Sequence, residues 1–551
     1  MAFNRRLFLK GATALAGSLP MLKSYASGHQ PFRHGVASGD PLSDRVILWT
    51  RITPDESPSF SDALVPYRWQ IALDPEMALI VNEGAGVTGP DVDYTVKVDA
   101  DQLIPGTTYY YRFYSNQLDS PIGRTKTLPT GHVDRLRLAF CSCSNYPQGF
   151  FNVYREMANR ADLDAVLHLG DYIYEYGPGG FGTESGLGRD PVPAAEIIAL
   201  DDYRRRYAQY RSDADLQAVH RQHPFICVWD DHESANNAWY GGAENHTPGA
   251  EGDWFARRSD AIKAYFEWMP IRETGVIDGF GDRSIYRNFR FGDLIDLFML
   301  DTRLHARDQQ AAVFDKNTTA DINRSILGFD QEQWLHTGLS QSQNAGVRWR
   351  VVAQQVMMAQ LTIKNDLALN TDQWDGYQAS RNRLFDHITR QGIDNFVVLT
   401  GDIHSSWAFD LSDNPFNPFN YGRITGRGAI GGEFVTPGVS SGFSDKSALT
   451  EIAALAVDGG LPHLKWANLT QRGYVLLDIN HNRTKAHWYH VDTVASQDYR
   501  SNLARIYSQQ AGANHIHRAF RESTQNDAPP LAPEYGSLAQ WLSGPRFSRW
   551  V

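Results

Sequence analysis

From about His34 to Pro129 apolar and polar positions alternate with a period of two, and no stretch sustains helical spacing. The runs "RVILWTRI", "YRWQIAL" and "DYTVKVDA" are separated by Gly, Pro and Asp turns, and "LIPGTTYYYRFYS" adds an aromatic alternating run after Pro-Gly. Short strands at this spacing predict a sandwich over residues 31–130, with "TKTLPTGHVDRLR" leading out of it. At Leu136 the pattern changes. Apolar runs such as "LRLAFC", "AVLHLG", "FICVWD", "LIDLFMLD", "RWRVVAQQ", "NFVVLTGD" and "YVLLDIN" now alternate with helical segments. "FFNVYREMANR" and "DDYRRRYAQYRSDADLQAVHRQ" each predict an amphipathic helix. This rhythm predicts an α/β domain over residues 136–493. Residues 494–551 turn polar and Pro-rich, an extension that could cover a site.

Composition narrows the class. With 551 residues, 42% hydrophobic and 12% aromatic, the chain has enough apolar material for a large core. A formal charge of −11, with no long basic run beyond the N-terminus, leaves no nucleic-acid-binding signature. Three cysteines, Cys141, Cys143 and Cys227, are too few for a disulfide scaffold. On a strand, Cys141 and Cys143 share a face but stand two residue rises, about 6.6 Å, apart, which places them badly to bond each other. At the N-terminus Arg5-Arg6 precede an apolar stretch, Gly11 to Leu22, too short and weak for a stable membrane span. Ser24 and Ala26 suit the −3 and −1 positions of a cleavage site. The order N-R-R-L-F-L-K resembles a twin-arginine export signal, which implies a signal peptide over residues 1–26. It implies the twin-arginine translocase as a partner, a periplasmic or secreted location, and export of a folded, metal-loaded protein.

In open α/β sheets functional side chains gather at the carboxyl ends of the strands. Here "LRLAF" delivers Cys141 and Cys143, "AVLHLG" delivers Asp171 and Tyr174, and "FICVW" delivers Asp230-Asp231-His232-Glu233. "VVLTG" delivers Asp402 and His404, and "RWRVVA" delivers Gln354-Gln355. Taken singly, Gly170-Asp171 reads as a turn, the acidic run as a loop and Cys143 as an inert core thiol. Taken together they place buried carboxylates side by side, which is costly without cations. A metal centre is the economical explanation. "GPGGFGTESGLG" opens no helix, lacks a phosphate-loop context and reads as a mobile loop near the site.

The order GD-x-x-Y, then D-H-E, then G-D-x-H resembles the calcineurin-like metallophosphoesterase pattern. More narrowly, "HLGDYIYEYG", "WDDHES", "TGDIHSSW" and "VASGDPLSDRVILWTR" resemble the alkaline phosphatase D (PhoD) family over nearly the whole chain. The L-x-P-G-T-x-Y-Y-Y-R pattern is similar to fibronectin type III-like modules. The resemblance implies an α/β fold, a metallophosphoesterase-type β-sandwich flanked by helices, preceded by a small all-β domain of fibronectin III or immunoglobulin-like kind. It implies an exported alkaline phosphatase and phosphodiesterase acting on phosphate mono- and diesters. The reaction implied is in-line attack by water or hydroxide activated by two metals. A dedicated phosphodiesterase, phospholipase D-like or teichoic-acid-degrading, is the alternative within the family; a catalytically dead envelope binding protein is disfavoured because every expected ligand position is filled.

Residue by residue, Asp171 matches the aspartate that bridges two cations. Tyr174, Cys143 and His404 match the other ligands of Fe3+. Asp231, Asp402 and Gln354 match a second, oxygen-rich site suited to one or two Ca2+, with Gln355 as the other choice for the last position. His232 matches the histidine that faces substrate, and Asn236 matches a substrate-binding position beside it. "EFVTPGVSSGF", Glu433 to Phe443, resembles a family loop to which no chemical role attaches.

Overall fold

The computed structural model describes residues 30–54, 63–273, 283–363, 367–442 and 460–534. The twin-arginine segment, residues 1–26, lies outside the described residues.

The apolar runs become two mixed sheets. The first has ten strands, and at its centre Arg135–Cys141, Ala165–His168, Pro224–Cys227 and Val36–Gly39 run parallel. Strands covered on both faces read as continuous apolar runs rather than alternations, and Ala165–His168 is buried at every position. The second sheet has seven strands, with Ile295–Met299, Trp349–Gln354, Phe396–Thr400 and Gly431–Val435 parallel at its centre. Neighbouring residues on its strands face opposite ways. Val351, Val397 and Leu399 join the main core with Phe140 and Leu167, whereas Val352 and Val398 pack with Leu335, Leu339, Leu384 and Phe385 of two covering helices.

Register aligns the carboxyl ends. His168 pairs with both Cys141 and Cys227, and Gln354 pairs with Thr400. A parallel bridge between Ser142 and Gly438 joins the tips of the two sheets. Every strand-tip motif therefore opens at one end of the molecule.

The N-terminal strands form two layers, as their alternation predicts, but one layer is shared. Val36–Gly39, Val46–Arg51 and Thr95–Ala100 extend the ten-stranded sheet, and a five-stranded sheet packs on them through Leu48, Trp69, Ile71, Tyr111 and Phe113. Trp49, the neighbour of Leu48, points to the other face and enters the main core, where its indole N–H donates to the Glu267 carbonyl at 2.8 Å.

The segment 201–222, expected as one helix, is two: Leu200–Arg211 and Ala214–Gln222. Asp213 ends the first and begins the second, because its carboxylate accepts the N–H groups of Asp215 and Leu216. Beyond residue 494, Ser501–Gln510 and Ile516–Arg518 add two edge strands to the ten-stranded sheet. The chain then crosses the opposite end from the strand-tip motifs. There Asn526 accepts from Arg135 at 2.6 Å, and the Ala532 N–H donates to Gln222 at 2.8 Å. The described part of the extension thus runs away from the site, and residues 535–551 lie outside the described residues.

Candidate active site

The tip of Ala165–His168 carries the centre of the site. Gly170 takes φ +103°, and a Cβ there would stand 2.4 Å from the Asp230 Cβ. Only glycine lets the Asp171 and Asp230 tips lie this close. Gly170→Ala is therefore expected to push them apart and lower kcat/KM about 100-fold, with the circular dichroism spectrum retained. An activity within twofold of wild type would contradict this packing.

Beyond Gly170, four site residues hold positive φ: Cys143 (62°), Asp171 (56°), Asp402 (60°) and His404 (53°). Left-handed backbone is uncommon outside glycine, even for Asp and His, which adopt it more readily than most, and it concentrates where geometry is imposed by function. Backbone bonds fasten the turns together: the Cys143 N–H donates to the Gly170 carbonyl at 3.1 Å and the Ser144 N–H to the Asp171 carbonyl at 2.9 Å.

Among the described residues at this end of the sheets, three groups of side chains could each hold a metal ion, their ligand atoms within 4.8 Å of one another: Cys143–Asp171–His404, Asp171–Asp231–His232 and Asp230–Asp231–Asp402. Tyr174 joins the first group. Its hydroxyl donates to Asp171 Oδ2 at 3.1 Å, lies 3.1 Å from His404 Nε2, and accepts from the Ser441 hydroxyl at 2.7 Å. Asp171 Oδ1, Asp230 Oδ2 and Asp231 Oδ1 are buried without hydrogen-bond partners. Buried carboxylate oxygens in that condition are the ones a cation would satisfy. The donor set fits a metal centre.

Electrostatics agree. Burial pushes the Asp171 carboxyl well up; His232 opposes the shift, and Asp231, Glu233 and Asp402 add to it. Burial also raises the Cys143 thiol and the Tyr174 phenol well above their usual ranges, and the Asp171 charge adds to both. Hydrogen bonds with Ser142 and Ser441 oppose this rise without overcoming it, and a nearby cation would favour both anionic forms. Burial pushes Asp402 up to about 6 against the pull of Arg303, and pushes His404 down to about 3, the neutral form a ligand needs.

His232 is held differently. Its Nδ1 meets Glu175 Oε2 at 2.7 Å, and its ring stacks on Tyr174 with centroids 4.2 Å apart. Burial opposes the charged imidazole, but Glu175, Asp231 and Asp171 outweigh it and raise its pKa well above the usual range. A protonated His232 presents Nε2–H as a donor.

Two expected residues are not brought in as expected. Gln354 is fully buried, and both ends of its amide are used: Trp374 Nε1 donates to Oε1 at 2.7 Å, and Nε2 donates to Thr400 at 3.2 Å. Gln355 is likewise consumed, donating to the carbonyls of Trp229 and Leu300 and accepting from Thr302. Asn236 contributes its backbone, whose N–H donates to Glu175 Oε1 at 2.7 Å, while its side chain turns to Glu244 at 3.4 Å.

Several residues around the site carry no individual role in the sequence reading. Arg303 lies fully buried among Asp230, Asp231, Asp372 and Asp402. Glu233 accepts the backbone N–H groups of Asp171, Tyr172 and Asp230 at 3.0, 2.6 and 2.8 Å. Ser441, in the loop left without a role, donates to Tyr174. Phe181, from the glycine-rich segment, stacks on His404 with centroids 5.7 Å apart. Asking what the strand in "LIDLFMLD" delivers at its tip would have pointed to Arg303; Asp372 and Glu175 carry no local signal.

A family model described as PhoD-like phosphatase matches residues 138–488, and the model of that family's N-terminal domain matches residues 16–129. Alkaline phosphatase D of Bacillus subtilis (strain 168) is 37% identical over 505 residues, covering 88% of this chain and 84% of that protein. A solved structure described as "Structure of PhoD" superimposes with a TM-score of 0.80 at 35% identity, covering 95% of this chain and 98% of its own.

Proposed function

The chain belongs to the PhoD-like phosphatase family and is a phosphoric ester hydrolase, and from that premise we propose a centre that pairs Fe3+ with Ca2+. Cys143, Tyr174 and His404 would hold the iron, Asp231 and Asp402 the calcium, and Asp171 both. The observation that carries this reading is the membership of Asp171 in two metal-capable groups while its Oδ1 has no partner. A thiol, a phenol and an imidazole suit a ferric ion, whereas two further carboxylates suit a hard divalent ion. When bound, the cations supply positive charge that offsets the carboxylates, polarises the phosphate and acidifies water.

The chain's own groups do the rest. Glu175 keeps His232 charged and aimed, so that Nε2–H can donate to a phosphate oxygen or to the departing alcohol oxygen. No nucleophilic side chain is required, since water can attack phosphorus in line. Phosphate mono- and diesters are the substrates in this reading. Among the described residues no helix is long and apolar enough to cross a membrane. Export through the twin-arginine translocase to a periplasmic or secreted location belongs to the same proposal and rests on Arg5-Arg6 and the stretch after them.

Metal analysis and visible absorption of the purified enzyme test it. Stoichiometric iron, calcium and a phenolate-to-iron charge-transfer band are expected, with the band lost in Tyr174→Phe. An active, colourless, iron-free enzyme would sink the assignment.

A further inference from the structure

Arg303 lies just after the strand Ile295–Met299 and is fully buried. Its guanidinium reaches carboxylates from separate parts of the chain. Nε donates to Asp230, Nη1 donates to both oxygens of Asp372 at 2.8 Å, and Nη2 donates to Asp402 at 2.7 Å while standing 3.7 Å from Asp231. Each neighbour is itself fixed. Arg307 and Gln310 donate to Asp372 at 2.6 and 2.7 Å, and Gln373 donates to Asp402 Oδ2 at 2.6 Å. The fork therefore grips one oxygen of a residue that the reading above gives to a divalent cation.

We propose that Arg303 is a built-in counter-cation of this acidic basin, which neutralises and orients Asp230 and Asp402 in the metal-free chain so that it folds with its ligands in place. The inference rests on the assignment of Asp231 and Asp402 as ligands. Unpaired buried carboxylates oppose folding, and a planar fork can satisfy several of them at once where a lysine ammonium, a single point charge, cannot. Once a divalent cation is bound, Asp231 and Asp402 gain a second source of positive charge. The share left to Arg303 is then Asp230 and Asp372. Arg303 is thus a positioning residue whose importance is greatest before metal arrives.

Thermal unfolding of wild type and Arg303→Met, each as purified with Ca2+ and after EDTA treatment, tests this. The variant is expected to melt lower in both states, with the loss in the chelated state larger by about 5 °C or more. Arg303→Lys, which keeps the charge and loses the fork, should fall between, and it carries the same comparison if the Met variant does not accumulate. Equal losses in the two states overturn the proposal and leave Arg303 an ordinary structural ion pair. A wild type whose melting ignores chelation overturns the metal assignment as well, which distinguishes the two failures.

Discussion

Asp171→Asn is expected to lower kcat/KM on p-nitrophenyl phosphate by about 1000-fold or more and to strip metal from both sides of the centre. The substitution keeps the shape of the side chain, removes the charge and turns one acceptor oxygen into an NH2 donor. Asp171 is the residue common to the Cys143–Asp171–His404 and Asp171–Asp231–His232 groups, so its carboxylate is the one place where both cations would be held at once. Losing it should weaken each. Stability should behave oppositely. Asp171 is buried, and its Oδ1 has no partner, so the neutral amide removes a desolvated charge from the metal-free protein. The melting temperature of the chelated variant is expected to equal or exceed that of the chelated wild type. Activity and metal content measured together decide the matter: a variant that keeps both metals and a tenth of its activity would refute the shared carboxylate.

Glu233→Ala is expected to destabilise the fold by about 3–6 kcal/mol, since each buried N–H left without an acceptor costs about 1–3 kcal/mol. Glu233 is buried, and its two oxygens receive the N–H groups of Asp171, Tyr172 and Asp230. These three donors belong to two strand tips, so one side chain staples the two loops that carry the central carboxylates. Glu233→Gln keeps one good acceptor and should lose about half as much. The midpoint of urea unfolding reads both values. A loss below about 1 kcal/mol in the alanine variant would mean that the loops are held by other contacts. Activity should fall with stability here, because Asp171 and Asp230 are positioned by the bonds that are removed.

The two predictions differ in how visible their residues are in the chain. Asp171 follows an apolar run, Ala165 to Leu169, interrupted only by His168, and a carboxylate at the tip of a buried strand is a local anomaly that needs no structure to notice. Glu233 stands in the same acidic run as Asp231, where nothing local tells a ligand from a clamp. Their neighbours on the chain are alike; their partners in space are not. Gln354 shows the same ambiguity from the other side. Its place at a strand tip made it a candidate ligand, yet Trp374, from a 3-10 turn well downstream, takes the amide oxygen that a cation would have needed.

What the sequence determined by itself is what depends on neighbours along the chain. The period of two before Pro129 and the apolar runs after Leu136 set the layers, because strand and helix periodicity are local properties of side-chain direction. The chemistry at each strand tip was equally legible, since a run that ends in Gly-Asp or Asp-Asp-His ends there whatever surrounds it. Tertiary structure alone decided which of those tips meet, that three N-terminal strands join the ten-stranded sheet, and that Arg303, Asp372 and Glu175 surround the candidate ligands. Those contacts span dozens to hundreds of residues, and the fate of each polar atom among them is set by whichever partner reaches it first in the folded core.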